Sequence, residues 1–332
     1  EAYFIHSAAP PDGVTVQEVD GVWHLAVEGT DAMAGLSITM DDDGNLTRGT
    51  SAGSQSTALN MTAVDFADVA GLGTIMIGSG VGSGTLSSYT VDAAGNLTEL
   101  SSLSLAGDSV SALTSCNING TSFILYGSLN GNSISSATLD ATGAIRTSAS
   151  FGAAQGLGIN AIQDIATVVQ NGTTYAVIAS AGSSSLSVIS ISGTGEMTLT
   201  DHVIDSLNTR FMNVDQVESI VIDGVTFVVA AGSDDGVSVF NLMPDGTLVH
   251  RTSIADTTEL GLTNLSEIQL YSNGDTLTII AGSHVETGLQ TLTLDIGTNG
   301  LVRMAEGSES EINGTSVEDY IVGSALNDNI RG

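Results

Sequence analysis

The chain has 332 residues, of which 42% are apolar, 40 are glycine and only 4% are aromatic. Its formal net charge is −31 and every basic residue is an arginine, so the surface repels nucleic acid and anionic membrane and neither is an expected partner. No apolar run reaches the roughly 18 residues of a membrane helix, so no membrane insertion is expected, and the single cysteine, Cys116, excludes an internal disulfide or a multi-cysteine metal site.

Residues 1–13 form a lead-in broken by Pro10-Pro11-Asp12-Gly13. Beyond it the chain repeats one phrase six times, a period-two strand running into a turn that ends in glycine. The copies are Leu36–Met40 before Gly44, Ser88–Val91 before Gly95, Ser136–Leu139 before Gly143, Leu186–Ile191 before Gly195, Gly236–Leu242 before Pro244-Asp245-Gly246, and Leu289–Leu294 before Gly300. Alternation of apolar and polar residues places successive side chains on opposite faces of a strand, and glycine accepts the left-handed position of a tight hairpin. The turn glycines follow one another at 51, 48, 52, 51 and 54 residues.

A second hairpin keeps the same period: Asp20-Gly21, Ala70-Gly71, Asn119-Gly120, Asn171-Gly172, Asp223-Gly224 and Asn273-Gly274, each leading into an apolar strand such as Thr226–Gly232. Four strands per repeat, with no helical pattern, predict an all-β fold: a β-propeller with blades of about 45–54 residues. Six blades are expected over residues 1–310, or seven if Tyr3–His6 and residues after Val302 complete another sheet.

Several residue types carry chemistry. His6, His24, His202, His250 and His284 stand singly, without the spacing of a metal site, and are read as structural or solvated. Asp41-Asp42-Asp43-Gly44 and Asp234-Asp235 are read as solvated turns. Gly49-Thr50-Ser51-Ala52-Gly53 matches the hydrolase elbow but lacks the strand and helix that the elbow requires. Asn60-Met61-Thr62 and Asn119-Gly120-Thr121 match the glycosylation pattern, which is cheap in so polar a chain. Cys116 is read as a small buried apolar residue. Carboxylates recur in the first strand of the repeats: Glu18, Asp65 with Asp68, Asp164, Glu218 and Glu267, while the third repeat carries Ser115 and Cys116 there. The innermost strands of a propeller line its channel. A ring of these groups would hold a cation, raise one member's pKa for acid–base work, or simply make the channel wet and acidic.

After Glu311 the pattern changes. Gly314, Gly323 and Gly332 are nine apart, as are Asp319 and Asp328, and Ile321 and Ile330. This resembles the opening of the RTX (hemolysin-type) array of calcium-binding nonapeptides. The resemblance implies that residues 311–332 begin a parallel β-roll. Its turns would bind Ca²⁺ through Asp319 and Asp328, with Gly314, Gly323 and Asn327 in the same loops, and Ile321 and Ile330 would point inward. Thr315, Ser324, Val317 and Leu326 replace family glycines, which weakens these loops, and the natural chain is expected to continue past Gly332. The resemblance further implies export by type I secretion to the cell exterior or surface, with calcium as cofactor. The acidic surface suits a marine or salty setting, where screening relieves self-repulsion.

Three functions are expected in turn. The first is a secreted, calcium-associated propeller that binds, adheres or assembles at a surface through an unidentified extracellular partner, without catalysis. The second follows from a resemblance of the blades to lactonase-like propellers and implies hydrolysis of sugar lactones by acidic residues at the channel, marked by convergence of Asp65, Asp164, Glu218 and Glu267. The third is a structural subunit that polymerises through the edge strand at Tyr3–Ile5 and would be a homo-oligomer.

Overall fold

The computed structural model describes residues 13–19, 22–28, 36–40 and 46–48 as backbone strands, and residues 61–331 with breaks at 81–82, 92–96, 107, 129, 274–275, 287–288, 297–301, 306–310, 317–318 and 325. The turns at Gly44, Gly95 and Gly300, the hydrolase-like elbow, the acidic turn at 41–43 and Tyr3–His6 lie outside the described residues.

The described strands fall into successive antiparallel meanders. The first sheet is β1 (Gly13–Val19), β2 (Val22–Glu28), β3 (Leu36–Met40) and β4 (Leu46–Arg48). The second is β5 (Met61–Val69), β6 (Gly73–Gly80), β7 (Thr85–Val91) and β8 (Leu97–Ser104), and the third is β9 (Val110–Ile118), β10 (Thr121–Ser128), β11 (Ser133–Leu139) and β12 (Ile145–Gly152). The fourth is β13 (Ile162–Gln170), β14 (Thr173–Ser180), β15 (Ser185–Ile191) and β16 (Met197–Ile204), and the fifth is β17 (Gln216–Ile222), β18 (Val225–Ala231), β19 (Gly236–Leu242) and β20 (Leu248–Ala255). The sixth has three strands, β21 (Leu265–Asn273), β22 (Thr276–Ser283) and β23 (Leu289–Asp295). The fold is the all-β, four-stranded-blade architecture of a β-propeller, in which the first strand of each blade is innermost.

The chain forms two compact units, residues 1–165 with 191–197 and residues 166–190 with 198–332. In the first, β5 lies against β9, and Ile75, Ile77, Leu86, Ile124 and Ala137 are shut from solvent between the sheets. In the second, β17 lies against β21, and Phe227, Val229, Val237, Leu265, Ile268 and Ile279 fill the space between. A second core there surrounds Phe211 and Phe240, whose rings meet edge to face at 5.8 Å.

The expected hairpins are present where the structure describes them. Asn119-Gly120, Asn171-Gly172 and Asp223-Gly224 have positive φ at both residues, the left-handed pair that a two-residue β-hairpin demands. Ala70-Gly71 opens a longer turn closed by the Leu72 N–H on the Val69 carbonyl at 3.0 Å. One boundary moves: Asn273 pairs with Thr276, so Asn273 is still strand.

The other set of turn glycines does more than bend the chain. Gly143, Gly195 and Gly246 have φ of +77°, +84° and +85°, and each amide donates to the carbonyl three residues back. Each is also pressed onto the blade before it. A Cβ would stand 2.6 Å from Leu100 Cδ1 at Gly143, 2.9 Å from Ser148 Cβ at Gly195, and 2.8 Å from Thr200 Cβ at Gly246. The contacting residues form a series of their own. Leu100 and Ser148 are the unpaired residues at the bulge between third and fourth strands, where Ser88/Tyr89 and Ser136/Ala137 shift register, and Arg251 holds the same bulge position in the fifth blade, at Val239/Phe240. Each stands five residues after its own blade's turn glycine, as Thr200 does. The glycine carbonyls are bonded to the preceding blade as well: Ser88 Oγ donates to Gly143 O at 2.6 Å, Ser136 Oγ to Gly195 O at 2.8 Å, and Thr200 Oγ1 to Gly246 O at 3.1 Å.

The tail is built differently. β24 (Val302–Met304) pairs in parallel with β26 (Tyr320–Val322), and β25 (Ile312–Asn313) in parallel with β27 (Ile330–Arg331). Both pairs join residues 18 apart, Val302 with Tyr320 and Ile312 with Ile330, which is twice the nine-residue spacing of the sequence. The pairing takes in Val302–Met304, ahead of the boundary expected at 310/311; among the described residues the sixth sheet therefore has no fourth strand. Of the residues expected to point inward, Ile330 is exposed, at 44%, because no described layer covers it, whereas Ile312, one turn earlier, is buried. The tail meets the fifth blade through Arg251, whose guanidinium lies 5.8 Å from the Phe227 ring centre and 5.7 Å from that of Tyr320. Arg251 also donates to Asn241 Oδ1 at 3.1 Å.

Replacing Gly224 by alanine adds a Cβ into open space, so the expected loss is that of left-handed backbone alone, about 1–2 kcal/mol. Gly246→Ala carries the same backbone cost and also drives a methyl into Tyr175 and Thr200. Urea unfolding is expected to show Gly246→Ala losing at least about twice as much stability as Gly224→Ala. Equal losses would mean that the approach between blades contributes nothing.

Candidate functional site

The first strands supply the residues nearest to a propeller's axis, and the register fixes where their carboxylates stand. Counting back from the last strand residue before the hairpin, Glu18 and Asp68 are second, Asp65 and Glu218 fifth, and Asp164 and Glu267 seventh. Successive residues advance by about 3.4 Å along a strand, so within the first unit Glu18 and Asp68, then Asp65, then Asp164 stand at three different positions along their strands, and within the second Glu218 and Glu267 stand at two. Among the described residues, no three His, Cys, Asp or Glu side chains come together as a metal site. The sequence repeat placed these residues in the right strands but did not reveal their rung.

The side chains do separate things. Asp68 is exposed and accepts from Thr74 Oγ1 at 2.6 Å. Asp164 accepts from the Ile165 N–H at 2.8 Å, and Glu267 from Gln269 Nε2 at 3.0 Å. Glu218 is half-buried, and for Glu18 the structure gives the strand and its pairing with Trp23.

Asp65 is the distinctive member. It projects from β5 toward β9, where one carboxylate oxygen accepts from the Ser115 N–H at 2.5 Å. Ser115 Oγ donates to the Phe66 carbonyl at 2.6 Å, which locks the two first strands together at this rung. The same bond recurs between the fourth and fifth blades, where Ser219 Oγ donates to the Thr167 carbonyl at 3.3 Å. These residues are all fourth from their hairpins, a regularity that sequence reading missed because serine is so common here. Burial raises the Asp65 pKa from 3.8 to about 6, and the bonds from Phe66 and Ser115 pull only part of the way back. Half-buried as a residue and desolvated at its carboxyl, Asp65 is held well above the ordinary aspartate range. Its neighbour Cys116 is half-buried; burial first, and then the Asp65 charge, pushes the thiol up to about 12, so it stays protonated and unreactive.

The other candidates are structural. His202 shares a hydrogen bond with Ser187 at 2.9 Å, and His250 packs on Phe240 while bonding Ser253 at 2.8 Å. Asp234 and Asp235, expected as a solvated turn, instead hold neighbouring loops: Asp234 accepts from the Met212 N–H and Asp235 from the Asn264 N–H, each at 3.1 Å. Burial, and then the charge of Asp205, raises the Asp234 pKa.

In the tail, Asp319 and Asp328 fold back over the glycines that open their own nonapeptides. Asp319 accepts from the Thr315 N–H at 2.7 Å and from Thr315 Oγ1 at 2.8 Å; Asp328 accepts from the Ser324 N–H at 2.7 Å and from Ser324 Oγ at 3.0 Å. A Cβ at Gly323 would stand 3.0 Å from Asp328 Oδ2, and one at Gly314 would overlap the Asp319 carboxylate, so the glycines are what admit the carboxylates. Asn327 is exposed in the second loop. The residues fit a hard cation with oxygen ligands, but among the described residues each turn offers one aspartate, and that one already accepts from a hydroxyl.

No family model matches the chain, and no curated protein matches it in sequence. Solved structures do match in fold. A periplasmic gluconolactonase from Pseudomonas aeruginosa aligns with a TM-score of 0.54 at 14% identity, covering 85% of each chain. A protein from Lactobacillus plantarum aligns with a TM-score of 0.52 at 16% identity, covering 86% of this chain and 84% of that one. An exo-β-1,3-galactanase from Phanerochaete chrysosporium aligns with a TM-score of 0.50 at 12% identity, covering 82% and 74%. At these identities what is shared is the fold alone, a β-propeller.

The raised pKa fixes a sign. Between its ordinary value and about 6, Asp65 holds a proton in the folded chain that the unfolded chain has released, so its contribution to stability falls as pH rises through that window and is constant above it. Asp65→Asn removes the effect. The urea midpoint of the variant relative to wild type is expected to rise from about pH 4 to about pH 6.5; a difference independent of pH would mean that Asp65 titrates at its ordinary value.

Proposed function

We propose that the propeller is a hydrolase of the lactonase type, acting on a sugar lactone or a related carbohydrate ester, with Asp65 as its general base. The observation that carries this reading is Asp65 itself: a carboxylate on a first strand, half-buried, desolvated and raised to about 6, in a fold shared with a gluconolactonase. In the reaction, water attacks the lactone carbonyl and gives its proton to the Asp65 carboxylate. The ring C–O bond then breaks, and the proton passes to the departing alkoxide. Asp65 works in its ionised form, so the rate rises with pH through about 6. Ser115 is not a nucleophile here, because its hydroxyl is committed to the Phe66 carbonyl.

The test is hydrolysis of glucono-1,5-lactone and galactono-1,4-lactone followed by pH-stat. Turnover with an inflection near pH 6 is expected, and Asp65→Asn is expected to lower kcat by about 10²–10⁴. Absence of turnover in a folded wild-type protein would remove the hydrolase reading and leave the propeller as a non-catalytic binding or surface-assembly module.

A second reading concerns the tail and is compatible with the first. Parallel pairing at an 18-residue offset, with one aspartate folded over a glycine in each nine-residue turn, supports an RTX-type calcium element on a secreted chain. Thr315 and Ser324 occupy the carboxylates, so calcium binding is weak, in the millimolar range typical of extracellular modules. Calcium titration by calorimetry is expected to show binding that Asp319→Asn with Asp328→Asn abolishes. Binding unchanged in that double variant would move the calcium site elsewhere.

A further inference from the structure

Six asparagines in the chain stand directly before a glycine: Asn119, Asn130, Asn171, Asn273, Asn299 and Asn313. In this pair the backbone nitrogen attacks the preceding side-chain amide most readily, because glycine sets no Cβ in its path. For Asn273 and Asn299 the glycine lies outside the described residues. The other four pairs are described, and their glycine amides differ.

Three of the amides are held. The Gly120 N–H donates to Asn117 Oδ1 at 2.9 Å, the Gly131 N–H to Ser128 Oγ at 2.5 Å, and the Gly314 N–H to the Arg331 carbonyl at 2.6 Å. The Gly172 N–H is the exception. Among the described residues no group accepts it, both Asn171 and Gly172 are exposed, and a Cβ placed at Gly172 would meet nothing within 4 Å. The third blade supplies a control. Asn119-Gly120-Thr121 has the same three residues as Asn171-Gly172-Thr173, at the same hairpin, with φ of +52° and +83° against +48° and +77°. Two residues before the hairpin asparagine, however, the third blade has Asn117 and the fourth has Val169, which offers no side-chain acceptor. Before it attacks, an amide nitrogen has to lose its proton and swing toward Cγ. A hydrogen bond to the protein opposes both steps, whereas water on an exposed amide exchanges freely.

We propose that Asn171 is a site of spontaneous modification, the first of the described Asn-Gly pairs to become aspartate and isoaspartate in the folded chain, and that the change loosens the seam between the fourth and fifth blades. The Gly172 nitrogen loses its proton to base and bonds to Asn171 Cγ, and the side-chain nitrogen leaves as ammonia. Water then opens the cyclic imide. Opening at one carbonyl gives aspartate, and opening at the other gives isoaspartate, whose Cβ lies in the main chain. A two-residue hairpin does not take an extra main-chain atom without shifting its ends. At one end is Gln170, which is 6% exposed; its Oε1 accepts from Thr226 Oγ1 and its Nε2 donates to the Leu242 carbonyl at 3.4 Å. Both partners belong to the fifth blade, so the strain reaches a contact between blades.

The inference is independent of the hydrolase and calcium readings, since it needs neither ligand nor turnover. The full chain is incubated at mildly alkaline pH, and conversion at each asparagine is followed by peptide mapping with fragmentation that separates aspartate from isoaspartate. Asn171 is expected to convert about fivefold faster than Asn119, Asn130 or Asn313, the factor that one hydrogen bond supplies. In the urea-unfolded chain Asn119, Asn171 and Asn313, all followed by Gly-Thr, are expected to share one rate. Asn117→Ala frees the Gly120 amide and is expected to raise the Asn119 rate about fivefold, with Asn171 unchanged. The isoaspartyl form, separated by ion exchange, is expected to unfold at lower urea than the original. If Asn117→Ala fails to fold, the ranking in the wild-type chain decides. Equal rates at Asn171 and Asn119 in the folded chain, the same ranking in urea, an Asn119 rate that Asn117→Ala leaves unchanged, or an isoaspartyl form as stable as the original would overturn the proposal.

Discussion

The arrangement on which the propeller depends is the approach of each described third-to-fourth-strand turn, at Gly143, Gly195 and Gly246, to the blade before it. A left-handed residue is needed to close the turn, and the space at that point is too small for any Cβ. Glycine meets both demands at once, and its exposed carbonyl then becomes an acceptor for a hydroxyl of the preceding blade. The bulge on the preceding fourth strand supplies the opposing residue at a constant distance along the chain. Backbone conformation, strand register and packing between blades are thus satisfied by one residue type at one position per repeat.

This explains which parts of the fold were legible in the sequence. Gly143, Gly195 and Gly246 announce the period because no other residue serves there, and the Asn-Gly and Asp-Gly pairs announce the first hairpins because both residues are left-handed. The bonds that join blades were not legible. Ser88, Ser115, Ser136 and Ser219 make them, but in a chain this rich in serine nothing marks those four from the rest. The bulge residues Leu100, Ser148 and Arg251 share a position and no chemistry, so no sequence pattern shows them.

The site was legible only by strand. Carboxylates were expected on the first strands and are there, yet a strand assignment tolerates an error of one or two residues that changes both face and level. Asp65 stands out through its desolvation between two blades, a property of packing that its neighbours Val64 and Phe66 do not reveal. In the tail the nine-residue spacing was plain. What it could not convey is that the pairing partner lies two repeats away, so that consecutive nonapeptides belong to different strand pairs.

A glycine that fits against leucine, serine or threonine alike makes no demand on the identity of its neighbour. Blades joined in this way are interchangeable: a copied or exchanged blade brings its own glycine and its own bulge, and needs no compensating change next door. Growth by duplication is then open to such a chain, and drift in the bulge residue is tolerated wherever the glycine is kept. Arg251 shows what that latitude permits. With its side chain between Phe227 and Tyr320, the same structural position has taken on the separate task of fastening a non-propeller segment to the scaffold.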